Sequence, residues 1–203
     1  GPLAGLDLLA ICDLLQIAKD MKKPVLIHVK TKKGKGYSYA EQQPNKYHGV
    51  SKFNIGTGQP LKKAVTNFST EFGKELVRLA KTNQKICAIT AAMPSGTGLG
   101  TFSQLYGNRF FDVGIAEEHA VAMTAGMAKQ GLRPVCALYS TFLQRGFDQM
   151  IHDCAIENTH VVLAIDRAGF VGEDGETHQG IFDVPMLRLI PNTTVYSPAS
   201  AEE

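Results

Sequence analysis

The sequence predicts an α/β fold over residues 62–203, a parallel β-sheet with helices on both faces. Three observations predict it. Stretches of helical periodicity alternate with short apolar runs. The runs at 85–90, 133–138 and 160–166 are apolar at most positions, as strands buried on both faces are. Polar or glycine-rich loops follow the runs, where parallel sheets of this kind present ligand sites.

The elements follow in order. Residues 7–21 read as an amphipathic helix, with Asp7 as its cap and Leu8, Ile11, Leu15 and Ala18 at helical spacing. The β-branched run PVLIHVKT at 24–31 reads as a buried strand. Residues 1–31 are thus expected to close a domain that begins upstream. Both chain ends read as cuts through a longer protein, since the chain opens on Gly1-Pro2 and stops just after Pro198 and Ser200. Residues 32–61 lack periodicity and carry Gly34, Gly36, Pro44, Gly49, Gly56, Gly58 and Pro60, so they read as a long linker. Next come a helix at 62–82, a strand at 85–90, a short helix at 101–106, a strand at 109–113 and a helix at 116–130. A strand at 133–138, a helix at 141–157, a strand at 160–166, a short helix at 184–189 and a strand at 193–197 complete the reading.

Composition narrows the function. Twenty-one Lys and Arg against nineteen Asp and Glu leave a formal charge of +2, too mild to argue for nucleic acid or an anionic membrane. The basic run KTKKGK at 30–35 reads as a solvated loop. The cysteines Cys12, Cys87, Cys136 and Cys154 form no CxxC, and three lie in apolar segments. They read as reduced, mostly buried thiols of a cytosolic protein. No apolar run reaches the ~18–20 residues needed to span a bilayer. No metal-ligand spacing, GxSxG, P-loop or GxGxxG is present, so serine hydrolysis, ATP hydrolysis and hydride transfer lack support.

Four loops gather the candidates. The first, AAMPSGTG at 91–98, is small enough for backbone to approach a ligand, or is a plain strand-to-helix turn. The second, DVGIAEEH at 112–119, opens a helix with Glu117 and Glu118. These carboxylates either complement the helix dipole or, for Glu117 beside Ile115 and Ala116, serve proton exchange from an apolar pocket. In the third, YSTFLQR at 139–145, Phe142 is either core or a stacking surface for a flat heterocycle, and Arg145 is placed to reach an anion or a neighbouring subunit. The fourth, at 166–180, gathers Arg167, Asp174 and His178. It is either a solvated loop or a site for phosphate and hydroxyl groups. His48, among glycines and prolines, reads as a solvated loop histidine.

The stretches KTKKGKGYSYAE, KYHGVSKF, AITAAMPSGTG, RFFDVGIAEEHAVAMTAGMA, ALYSTFLQRGFDQMIHD and AIDRAGFVGEDGETHQGIFD cover nearly the whole chain. Together they resemble the 1-deoxy-D-xylulose-5-phosphate synthase family of transketolase-type thiamine-diphosphate enzymes. The combination of STFLQR with IDRAGxVGxDGxTHxG separates that family from transketolase and from dehydrogenase β subunits. Glu118 departs from the glutamine expected there.

The resemblance implies a homodimeric, cytoplasmic transferase, plastidic if the source is a plant or alga. It condenses pyruvate with D-glyceraldehyde 3-phosphate, with loss of carbon dioxide, at the head of isoprenoid and thiamine biosynthesis. It implies a pyrimidine-binding domain at 62–203, a linker at 32–61, and at 1–31 the last helix–strand unit of a diphosphate-binding domain. Glu117 is implied to hydrogen-bond the aminopyrimidine ring nitrogen and activate the cofactor, Phe142 to stack on that ring, and Tyr37 and Ile115 to contact the cofactor. Tyr139, Arg167, Asp174, His178 and Arg145 are implied for substrate, with His178 and His48 in proton handling. The magnesium site is implied to lie outside this chain, so the isolated chain is expected to be inactive. The helix after Glu117 is expected to turn Ala120, Met123, Ala125 and Met127 toward a partner. The alternatives are another transketolase-like enzyme or a non-catalytic module of the same fold.

Overall fold

The structure, a computed structural model, describes residues 2–61, 66–172 and 175–203. They fall into two units, Gly1–Val65 and Thr66–Glu203.

In the first unit, strand β1 (Leu3–Ala4) pairs in parallel with β2 (Val29–Lys30), and helix α1 (Leu8–Asp20) connects them. Asp7 caps α1 as expected, its Oδ1 accepting from the Ala10 amide at 3.1 Å. The strand expected over 24–31 is only two residues long. A strand is made by its ladder, and β1 offers only Leu3 and Ala4 as partners. Val25 and Leu26 stay exposed, Leu26 at 94 %.

The stretch 32–61 is more organised than a linker. Helix α2 (Ser38–Gln42) sits within it, and Phe53 bridges to Pro60. Tyr37 meets Tyr39, Tyr47 and Phe53 with ring centroids 5.5, 5.6 and 5.9 Å away. The three tyrosine hydroxyls donate to the carbonyls of Ile55, Gly56 and Gly58, tying the segment's glycine turn to its aromatic cluster. A Cβ at Gly58 would fall 2.6 Å from the Tyr47 hydroxyl, and its φ is +66°. Only glycine suits that turn.

In the second unit, α3 (Phe68–Thr82) begins at Phe68 rather than 62. Residues 62–65 lie outside the described ones. Asn67 is extended and closes a reciprocal cap with Thr70, at 2.9 Å each way. Then follow β3 (Ile86–Thr90), α4 (Gly100–Leu105), β4 (Phe110–Asp112), α5 (Glu117–Lys129) and β5 (Arg133–Tyr139). The helix expected over 141–157 is a composite. It comprises α6 (Ser140–Leu143), a 3-10 turn Gln144–Gly146, α7 (Phe147–Gln149) and a π-helical stretch Met150–Ile156. Strand β6 (Val162–Asp166) and helix α8 (Asp183–Leu187) come last. The strand expected at 193–197 is irregular chain with no ladder, and Tyr196 is 86 % exposed.

The sheet is parallel throughout, in the order β4-β3-β5-β6. Alternate residues face opposite layers. Cys87, Ile89, Cys136 and Leu138 pack with Ala120 and Val121 of α5, Leu143 of α6 and Met150. Ile86, Ala88, Val135 and Ala137 pack with Leu76 and Ala80 of α3 and Phe102 of α4. The sheet is therefore covered on both faces, as the sequence predicts. The helix after β3 lies on one face and the helical run after β5 on the other. The carboxyl ends of these adjacent strands thus form a switch point, the usual ligand crevice of an open α/β sheet.

Candidate functional site

Glu117 is the first residue of α5, at the carboxyl edge of the sheet, and only 2 % of it is exposed. Its partner is Arg145, whose Nη1 donates to Oε1 and Oε2 at 2.8 and 2.9 Å. The apolar pocket expected around Glu117 thus contains a guanidinium. Gly146 explains the approach: a Cβ there would stand 2.9 Å from Val121 Cγ2 and 3.5 Å from the Glu117 carbonyl oxygen. Without a side chain at 146, the 3-10 turn settles against α5.

From Arg145 a chain of contacts crosses the edge. Its Cζ lies 5.0 Å from the Phe142 ring centroid. Phe142 stacks on Tyr139 at 6.0 Å with 12° between planes, and meets His178 edge-on at 5.3 Å. Tyr139 lies under the Arg167 guanidinium, 4.7 Å from Cζ. Arg167 has φ +59°, the left-handed region. Asp166 holds it there, Oδ1 accepting from the Arg167 amide at 2.8 Å and from Nη1 at 3.1 Å. His178 Nδ1 meets Thr177 Oγ1 at 2.7 Å.

The structure therefore brings together Glu117, Arg145, Phe142, Tyr139, His178 and Arg167. Ile115 stands two residues before Glu117, 80 % exposed. Asp174 lies outside the described residues. Tyr37 and His48 belong to the Gly1–Val65 unit. There Tyr37 donates to the Ile55 carbonyl at 2.8 Å; partial burial, then Tyr47 and Tyr39, push its phenol above the usual range. His48 is exposed, and its Nδ1 accepts from Lys33 Nζ, because an ammonium only donates. Two of the four α5 residues expected to face a partner do not form an open face. Ala120 and Ala125 are buried in the unit's own core, Met127 packs against that core, and Met123 is half-buried.

Several supporting residues escaped the sequence reading. Asp112 ties the loops after β3 and β4, its Oδ1 accepting from the amides of Ala92 at 2.7 Å and Gly114 at 3.0 Å. Ser69 donates to Asp166, and Ser140 to Asp183. Gly96 lets the first loop touch the site, since a Cβ there would fall 1.9 Å from the Tyr139 hydroxyl. The one available signal was position: Asp112 and Asp166 each end a strand. Among the described residues, no group of three or more His, Cys, Asp and Glu is placed to hold a metal ion, and no helix is long and apolar enough to cross a membrane.

The carboxyl edge of the sheet thus carries a buried glutamate at a helix start, an arginine paired with it, and an aromatic ring beneath that arginine. Residues 65–203 match the family described as the transketolase pyrimidine-binding domain. The chain belongs to this family. Along its whole length it is 55 % identical to the 1-deoxy-D-xylulose-5-phosphate synthase of Clostridium acetobutylicum, of which it covers 33 %. It is 54 % identical over 202 residues to that of Carboxydothermus hydrogenoformans, covering 32 % of it. The chain thus spans about a third of the length of the curated relatives it matches. Among solved structures, a split-gene transketolase superposes with a TM-score of 0.57 at 31 % identity, over 64 % of this chain and 42 % of that one. Transketolase from Leishmania mexicana, at 21 % identity and TM-score 0.55 over 66 % of this chain and 21 % of that one, shares the fold.

Proposed function

We propose that this chain is the pyrimidine-binding segment of a cytoplasmic, homodimeric 1-deoxy-D-xylulose-5-phosphate synthase. The full-length protein condenses pyruvate with D-glyceraldehyde 3-phosphate and releases carbon dioxide. Residues 1–31 then close the diphosphate-binding domain, 32–61 lead out of it, and 62–203 bind the pyrimidine. The observation that carries this reading is Glu117. It is a carboxylate 2 % exposed at the first turn of a helix, and its partner Arg145 lies 5.0 Å from the Phe142 ring centroid. An isolated buried carboxylate is costly unless a donor meets it, so a protonated ring nitrogen suits it well.

Bound thiamine diphosphate supplies the electron sink of the reaction. Glu117 holds the proton on the pyrimidine ring nitrogen through its carboxylate. Phe142 would offer its ring as a stacking surface, and exposed Ile115 would contact the cofactor. Arg167, propped by Asp166 and lying over Tyr139, is assigned the substrate phosphate; the resemblance to the family also assigns Asp174 and Arg145 to substrate. The resemblance to the family assigns proton handling to His178 and His48, and a cofactor contact to Tyr37. Magnesium and the diphosphate are assigned to residues beyond this chain. The split-gene transketolase of similar fold is an inactive β4 tetramer, which supports an inactive isolated chain here.

The test is Glu117→Ala in the full-length protein. Turnover is expected to fall about 10²–10⁴-fold, the range for a positioned acid–base group, with the fold retained by circular dichroism. Turnover near wild type would remove Glu117 from the chemistry. The isolated chain should bind thiamine diphosphate more weakly than micromolar. One charge-assisted hydrogen bond of about 1.5–3 kcal/mol and one stacking contact of about 0.5–1.5 kcal/mol fall short of the ~8 kcal/mol that affinity requires.

A further inference from the structure

The Arg145 guanidinium sits on both side chains that the proposed pyrimidine site uses. One of its nitrogens, Nη1, reaches both Glu117 oxygens, at 2.8 and 2.9 Å, and its Cζ lies 5.0 Å from the Phe142 ring centroid. A guanidinium and a protonated aminopyrimidine ask for the same partners. Each is flat, offers in-plane N–H donors to a carboxylate, and presents a face to an aromatic ring. Glu117 is 2 % exposed, so it has little room to serve both.

We propose that Arg145 is a displaceable placeholder for the pyrimidine ring on Glu117, and that cofactor binding moves its guanidinium off the carboxylate. The proposal rests on the reading of Glu117 as the pyrimidine contact. The asymmetry of the pair favours the arginine as the mobile member. Its side chain is 50 % exposed against 2 % for Glu117, so it can turn its charge into water. Glu117 stays buried in either arrangement and needs a donor in both, because an uncompensated buried charge is strongly destabilising. Gly146, pressed against α5, keeps the turn and its arginine within reach. A competitor inside the site lowers apparent affinity by the fraction of molecules in which it has moved away.

The experiment uses the full-length protein that carries this chain, titrated with thiamine diphosphate and magnesium by calorimetry. Arg145→Met keeps the aliphatic stem and removes the competing donor. It is expected to tighten binding about fivefold or more, because the cofactor-free form loses its ion pair and the bound form loses nothing. Unchanged or weaker binding in Arg145→Met overturns the proposal. Glu117→Gln separates the two ideas: binding as tight as wild type would sink the pyrimidine assignment itself, whereas weakened binding leaves it standing. Should Arg145→Met fail to fold, crystal structures of the wild-type protein with and without cofactor decide. Arg145 moved away from Glu117 in the bound form supports the proposal, and Arg145 still paired with Glu117 beside a bound cofactor overturns it.

Discussion

The two units of the chain are held together by different means. In Thr66–Glu203, Ile89, Phe102, Val121 and Leu143 are all 0 % exposed, and helices cover both faces of one sheet. In Gly1–Val65, the longest helix buries no residue: Leu8 is 71 % exposed and Leu9 81 %. Order there comes from aromatic edges and from tyrosine hydroxyls on backbone carbonyls. Both regions carry the same kind of amphipathic pattern. A pattern marks which face of a helix seeks burial, while burial itself needs a partner surface.

The largest expected effect that sharpens this contrast is chemical. Burial pushes the Cys136 thiol up to about 12 and also raises Cys87 and Cys154, while Cys12 on α1 is exposed. At pH 8 a thiol ordinarily near 8.5 is about one-quarter thiolate, whereas one near 12 is about 10⁻⁴ thiolate. Maleimide should therefore label the exposed Cys12 rapidly and the three buried thiols only on unfolding. Equal labelling of two or more thiols in the folded chain would break the contrast. The sign of the linkage follows. A folded-state pKa raised above the unfolded one stabilises fully below the unfolded value, and that contribution is lost as pH climbs from about 8.5 toward 12.

Second in size is core truncation. Phe102→Ala should cost about 3–5 kcal/mol, since the ring is 0 % exposed between α3 and the sheet. Urea unfolding followed by near-UV circular dichroism measures it, and a loss below about 1 kcal/mol would mean the face is loosely packed.

What was legible follows the same line. Strands β3 to β6 and helix α5 lie where periodicity put them, because each apolar run meets another run in the sheet. The runs at 24–31 and 193–197 are as β-branched, yet they form two paired residues and none, for want of a neighbour. Glu117, Phe142 and Arg167 were legible as residues at the carboxyl ends of strands. The Glu117–Arg145 pair was not, because the partners stand 28 positions apart and meet only where Gly146 admits the turn to α5. The aromatic cluster at 37–53 was hidden by glycines and prolines that read as linker, and its spacing follows neither a helix nor a strand period.

Third comes the tyrosine cluster. Tyr47→Phe keeps the ring packing and removes the donor to the Gly58 carbonyl, 2.7 Å away. The expected cost is about 0.5–1.5 kcal/mol, read as faster hydrogen exchange across residues 37–60. No change there would leave the rings alone as the source of order.

The smallest expected effect tests the comparison most directly. Leu9 is apolar and lies in the first turn of α1, yet it is 81 % exposed. Full burial of a leucine side chain is worth about 1.5–3 kcal/mol, and a side chain that stays in water realises little of that. Alanine is a slightly better helix former than leucine, so the propensity change runs in the opposite direction by a few tenths of a kcal/mol. The two terms nearly cancel, and Leu9→Ala should shift the opening free energy of the α1 amides by no more than about 0.5 kcal/mol. Native-state hydrogen exchange on the 203-residue chain reads this helix by itself. A loss of about 2 kcal/mol or more would show that α1 packs on a surface of the same chain, and the contrast between the units would fail at its clearest point.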